Sequence, residues 1–244
     1  MVSAIERGGR PRVTIATAVR LVEAMGGHLT VAVDAPYLGD RARQRDPAHA
    51  RLSSYVVGQL RRAGWDARVE VEVGGDRSRG WIDVLAYHPS SRLMLVLELK
   101  TEIHDFGQIE RTLGWYERAA WSASRRFGWS PVRSIGGLLL LATVANDGRV
   151  RANRSSVALG FPLRARHLGG ALSGAPMPAE RGRAIVMIDP RSRRRIWYRS
   201  LQVDGRRSPA PYADYADFMR ASGPGALRRA APRIASAAGR DPTG

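Results

Sequence analysis

Between residues 93 and 100 the odd positions are all leucine, Leu93, Leu95, Leu97 and Leu99, while the even ones run Met94, Val96, Glu98, Lys100. A period of two sends successive side chains to opposite faces of a strand. One face is therefore wholly apolar, and the other passes from apolar to two opposite charges. This pattern predicts a strand buried along most of its length whose tip opens into a cleft. Just before it, residues 81–87 put Trp81, Asp83, Leu85 and Tyr87 on one face, and His88-Pro89-Ser90-Ser91-Arg92 has the composition of a hairpin turn. If Asp83 lies opposite Glu98, Leu85 meets Val96 and Tyr87 meets Met94. That register gathers Asp83, Glu98 and Lys100 at one end of an otherwise apolar hairpin.

The same reading places the flanking elements. Residues 14–25 carry Ile15, Ala18, Val19, Val22 and Met25 at helical spacing, with Thr14 able to cap the helix and Gly26-Gly27 to end it. Leu29, Val31 and Val33 alternate as a short strand, and residues 34–46 read as a charged linker. Asp46-Pro47 is a helix start signal. The helix it opens runs to about Ala63, with Leu52, Tyr55, Val56 and Leu60 inward and Gly64 as terminator. Ala67, Val69, Val71 and Val73 alternate against Arg68, Glu70 and Glu72 in a further strand, followed by a glycine-bounded basic loop containing Arg77 and Arg79. After Lys100 a long helix is predicted over residues 107–127, with an inward stripe of Ile109, Leu113, Tyr116, Ala120, Ala123 and Phe127. Residues 135–146 form an apolar run of buried-strand length, and a strand, a crossover helix and a second strand imply right-handed parallel pairing. Beyond Arg149 the pattern predicts a helix over 151–159 and a Gly/Ala/Pro loop over 168–178. Residues 182–189 fit strand or helix, residues 196–201 a strand, and 202–244 a basic, mostly disordered tail with a helix near 212–221.

Composition narrows the chemistry. Of 39 Lys+Arg residues, Lys100 is the single lysine. A compact ammonium whose pKa moves with its surroundings stands where every other cation is a guanidinium. The chain has no cysteine, which excludes disulfides, thiol catalysis and cysteine-ligated zinc. The five histidines show no ligand spacing, and neither G-x-S-x-G nor a P-loop occurs. No apolar run is long enough to span a bilayer, and Glu6 and Arg7 occupy the place of a signal sequence's apolar region, so a soluble cytoplasmic protein is expected. The net charge of +17 is concentrated in residues 149–244, which hold 19 basic and 6 acidic groups. Such a field favours phosphate backbones, although a genome-wide arginine bias would leave the same composition.

Two carboxylates and a lysine in a cleft form a kit for phosphodiester hydrolysis. The carboxylates hold a hard divalent ion, and the ion polarises a phosphate and acidifies water. Asp83 followed by Glu98-Leu99-Lys100 resembles the PD-(D/E)XK nuclease superfamily, of restriction-endonuclease-like fold. Ile82 replaces the proline usual before the aspartate. The resemblance implies an α/β core ordered helix, three-strand meander, helix, strand, over residues 47–201. It also implies Asp83, Glu98 and the Leu99 carbonyl as ligands of Mg2+ or Mn2+, and Lys100 as base or electrostatic stabiliser. Gln108, on the first turn of the long helix, matches a glutamine that helps hold the lysine or substrate in the exonuclease-like subset. Glu70 matches an auxiliary acidic position, and Tyr116 a tyrosine of that subset. A surface ion pair between Glu98 and Lys100 is the plainer alternative, since most E-x-K pairs are that.

The segment IERG followed by VTIATAVRLVEAMGGHLTVAVD is similar to the second half of an Xre-type helix-turn-helix domain, truncated here to residues 1–33. On that resemblance about 40 further coding residues, the length of the missing helices and loops, are expected upstream of Met1. The combined expectation is a DNA-directed, Mg2+-dependent nuclease, with homodimerisation compatible. A DNA-binding transcriptional regulator with a catalytically silent nuclease-like domain is the alternative, and an interaction protein with a basic tail the third. Two neighbouring carboxylates repel one another, so Asp83→Ala is expected to leave stability unchanged or raise it.

Overall fold

Six strands, three antiparallel, two further parallel to the third and a last short one antiparallel at the far edge, build the sheet on which the helices of the second unit pack. In the computed structural model residues 14–26, 47–75, 78–173, 182–194, 196–200 and 208–222 are described. The chain divides into two compact units, 1–39 and 40–244. In the first, α1 (Ile15–Ala24) starts at Thr14, whose side chain accepts from the Thr17 amide, and ends before Gly26 at φ +78°. Val19 and Val22 are half-buried, but Met25, expected on the inward face, is 76% exposed because it is already the C-cap residue. The IERG segment, the strand over 29–33 and the linker over 34–46 lie outside the described residues.

The second unit is a mixed α/β fold. It opens with α2 (Pro47–Arg62), which buries Leu52, Val56 and Leu60 and stops at Gly64, held at φ +85° where a side chain would be strained. Then come β1 (Asp66–Gly75), β2 (Ser78–His88), β3 (Leu93–Lys100), α3 (Phe106–Arg126) and β4 (Arg133–Leu141). The chain continues through α4 (Val144–Ala152), α5 (Arg154–Gly160), α6 (Ala165–Leu172), β5 (Gly182–Ile188), β6 (Tyr198–Arg199) and α7 (Tyr215–Ser222). The strands lie in the order β1-β2-β3-β4-β5-β6. β1-β2-β3 and β5-β6 pair antiparallel, and β3-β4-β5 pair parallel, as the length of the α3 crossover required.

Two apolar layers sandwich the sheet. Leu93, Leu95, Leu97 and Leu99 pack with Leu52, Val56 and Leu60 of α2 and Leu168 and Leu172 of α6. Met94 and Val96 face Ile109, Leu113, Tyr116, Ala120 and Ala123 of α3. The alternation along β3 is thus realised residue by residue. β1 and β2 depart from theirs. Ala67 packs in the α2 layer with Val84 and Ala86, whereas Val71 and Val73 pack in the α3 layer with Ile82. The pleat changes face between these pairs, at Glu70, whose φ is +49°, and Asp83. Val69, expected inward, is consequently 50% exposed.

Three other expectations change. The apolar run over 135–146 is strand only to Leu141, because the Thr143 side chain caps α4 by accepting from the Asn146 amide. The Gly/Ala/Pro stretch from 168 begins inside helix α6. Gly169 serves close packing there, since a Cβ on it would overlap the Tyr198 ring. The folded part also extends past residue 201. Tyr212 forms a parallel bridge with Thr143, its carbonyl accepting from the Val144 amide at 2.8 Å, and Phe218 of α7 is fully buried against Tyr212, Leu141 and Ala48. Burying one phenylalanine contributes about 1.5–3 kcal/mol, enough to dock the short helix that was expected near 212–221 and that forms over Tyr215–Ser222.

Tyr212 gives this docking a pH signature. Its hydroxyl donates to Asp189 Oδ1 at 3.0 Å, and burial followed by the Asp189 charge pushes its pKa up to about 12 from 10.0. The folded state keeps the proton over a range where the unfolded chain releases it. Stability is therefore complete below pH 10, declines between 10 and 12, and loses about 2–3 kcal/mol in all. Denaturant titrations across that range should show the decline, and Tyr212→Phe should remove it. An equal decline in Tyr212→Phe would assign it to other groups.

Candidate active site

The carboxyl ends of β3, β4 and β5 and the amino end of β2 meet at one edge of the sheet, the usual place for a ligand in an open α/β sheet. Asp83, Glu98 and Lys100 lie there. Leu85 lies opposite Val96 and Tyr87 opposite Met94 as expected, and the ladder ends at Val84 opposite Leu97, one residue short of the expected Asp83–Glu98 pair. Beyond that point the Asp83 side chain takes over from the backbone, and its Oδ2 accepts from the Leu99 amide at 2.7 Å. The change of face at Asp83 is what frees its carboxylate to reach the neighbouring strand's main chain.

Asp83 has a second partner that the spacing of residues did not suggest. His49, on the first turn of α2, places Nε2 3.4 Å from Asp83 Oδ1. Pro47 and Ala48 bring it there, Ala48 being fully buried under Phe218. Burial opposes the imidazolium, but the hydrogen bond and charge of Asp83 outweigh it, and the His49 pKa is raised above 6.5. Asp83 shows the converse. Burial would raise its pKa, yet the His49 hydrogen bond, the Lys100 charge and the Leu99 amide together lower it, so the carboxylate stays ionised.

Glu98 and Lys100 pair directly through Oε1 and Nζ, with side-chain exposures of 6% and 14%. This is no solvated surface pair. Removing two charges from water costs several kcal/mol each, so the pair is poor evidence of a stabilising role. The backbone that follows Lys100 is also held. Asn146 donates from Nδ2 to the Thr101 and Leu141 carbonyls at 2.9 and 3.0 Å, and its Oδ1 accepts from the Ile103 amide at 3.2 Å. One buried amide thus ties the loop after β3 to the end of β4.

Other candidates sit elsewhere. The Gln108 side chain is exposed and makes no hydrogen bond to Asp83, Glu98 or Lys100; its backbone amide donates to Asp105 Oδ1, the cap of α3. Tyr116 is a core residue against α3's partner strands, and Glu70 is exposed on β1. Arg79 is engaged by Glu72 at 2.8 Å, and Arg77 lies outside the described residues. Sequence reasoning missed His49 and Asn146. Only the T-x-x-N spacing of Thr143 and Asn146, a capping signal, pointed to either.

Among the described residues no three His, Asp or Glu side chains are grouped as a metal cage. Asp83 and Glu98 are oxygen donors of the kind a Mg2+-sized ion prefers, and in this structure Asp83 is engaged by the Leu99 amide and His49, and Glu98 Oε1 by Lys100. The ionised state of Asp83 fits such a ligand. No protein-family model, curated protein or solved structure matches this chain. No helix among the described residues is long and apolar enough to cross a membrane.

Proposed function

We propose that this chain is a DNA-directed phosphodiesterase of PD-(D/E)XK type, with Asp83, Glu98 and Lys100 as its working groups and Mg2+ or Mn2+ as its ion. The supporting observation is the meeting of those three side chains at the carboxyl edge of the sheet, with Asp83 bonded to the Leu99 amide. An extended residue directs its N–H and C=O toward the same neighbouring strand. The Leu99 carbonyl therefore faces the Asp83 side as well.

On this reading Asp83 and Glu98 would hold the ion, which would supply Lewis-acid polarisation of the phosphate and acidification of water. His49 donates to Asp83 and keeps its carboxylate oriented and charged. Lys100 holds its ammonium on Glu98, where it neutralises charge gathering on the phosphate oxygens. The buried, low-dielectric setting of the pair strengthens that electrostatic effect.

The silent-regulator reading draws support from one feature. Both Asp83 oxygens already have partners, the Leu99 amide and His49. Incubating the full chain with linear duplex and single-stranded DNA across Mg2+ and Mn2+ concentrations separates the two. Cleavage that stops with a chelator is the expected result. Salt-sensitive DNA binding without cleavage under every condition would favour the regulator.

A further inference from the structure

We infer that the tip of the β5–β6 hairpin, residues 190–194 with Ile196, is a DNA-backbone clamp serving the candidate active site, an inference that rests on the DNA-directed reading above. Its position comes from the sheet register. Lys100 pairs with Leu140 and Leu140 with Met187, so the three residues form one row across β3, β4 and β5. The hairpin leaves β5 after Ile188, just past that row and on the same edge as Asp83, Glu98 and Lys100. Two strand spacings separate β3 from β5, about 10 Å sideways. At about 3.4 Å of rise per nucleotide, that span is roughly three nucleotides along a backbone.

The composition of the tip suits a phosphate chain. Its sequence is Arg191-Ser192-Arg193-Arg194-Arg195-Ile196, with no acidic residue between Asp189 and Asp204. Arg191, Arg193 and Arg194 are exposed, and no carboxylate among the described residues forms an ion pair with them. Ile196 is 65% exposed beside them, an apolar side chain available to a sugar or a base edge. Between Ser192, Arg194 and the Ile196–Arg199 segment lies a hollow of about 380 Å³.

The tip is also held in shape. Asp189 Oδ1 accepts from the Arg191 amide at 3.0 Å and from the Tyr212 hydroxyl at 3.0 Å. The Tyr55 hydroxyl donates to the Ser192 carbonyl at 3.0 Å, and the Tyr55 ring meets Trp197 edge-on. An arginine cluster spread over a loose tail would have to be ordered on binding. This one is braced by α2 and by the segment that carries Tyr212, so less ordering entropy is lost when a phosphate chain docks.

The test is DNA binding by the full chain with chelator present, so that cleavage plays no part. Affinity is read against salt for wild type, Arg193→Ala/Arg194→Ala and Arg193→Lys/Arg194→Lys on duplex and single-stranded oligonucleotides. Each lost phosphate contact should make the slope of log K against log salt shallower by about 0.9 on duplex or 0.7 on a single strand. The double alanine variant should therefore lose about two such units on the preferred form, and bind on the order of 10-fold or more weakly at about 0.1 M salt. The lysine variant should keep the slope. Both should melt with wild type, since the two side chains are exposed. Alanine variants that match wild type in affinity and slope would overturn the clamp and leave the nuclease reading standing. A wild-type chain that binds neither form would overturn both.

Discussion

Replacing Lys100 by arginine is expected to lower DNA cleavage by on the order of 100-fold or more, while DNA affinity and its salt dependence stay near wild type. The substitution keeps the charge and changes its shape and basicity. The ammonium of Lys100 sits in a space with 14% exposure, against a Glu98 side chain exposed at 6%. A planar guanidinium cannot occupy that space as a point charge, nor give up a proton at working pH. Had the pair been solvated, arginine would have been nearly silent, because exposed pairs contribute about 0–1 kcal/mol and arginine pairs well. Single-turnover cleavage at saturating Mg2+, with anisotropy titrations beside it, reads the two effects separately. Cleavage by Lys100→Arg at the wild-type rate would end the catalytic assignment of this residue.

Asp83→Ala is expected to destabilise the chain by about 2–4 kcal/mol, the opposite of what two neighbouring like charges suggest from the sequence. Asp83 does more than repel Glu98. It accepts from the Leu99 amide at 2.7 Å and from His49, which lies 3.4 Å away. Alanine would leave that amide unsatisfied at a strand end, and would leave the raised pKa of His49 without its cause. Asp83→Asn keeps an oxygen for the amide, so it should cost less, about 1 kcal/mol. Both variants should lose cleavage and any rise in melting temperature with Mg2+, since an ion bound only by the folded state stabilises it by mass action. Denaturant midpoints at constant slope give the stability change. An alanine variant as stable as wild type would contradict the role of Asp83 as a strand-end acceptor. A variant with an undiminished Mg2+ response would remove Asp83 from the ion's ligands.

The hairpin that carries the site was legible because its signal is local. Eight residues of strict alternation state which side of β3 meets which layer, and Leu85 opposite Val96 follows once the turn is placed. Capping chemistry was equally local at Thr14 and Pro47, which mark their helices to within a residue. Helix α6 was not legible. Gly169 and Gly170 lower its intrinsic propensity, and what holds it is the burial of Leu168 and Leu172 against the sheet.

The sequence by itself determined the alternation along β3, the hairpin register of Leu85 with Val96 and Tyr87 with Met94, the parallel crossover and the lone lysine. All of these depend on neighbours a few residues apart. Tertiary structure alone decided that His49 would meet Asp83, that Asn146 would tie down the loop 43 residues before it, and that Tyr212 would lock onto Asp189. It also decided the change of pleat at Glu70 and Asp83, on which the reach of the Asp83 carboxylate depends. The physical reason is that periodicity records how buried each position is, whereas a hydrogen bond between distant residues depends on where two elements come to rest. That placement is set by the packing of α2, β4 and α7 together, and no spacing within any one of them contains it.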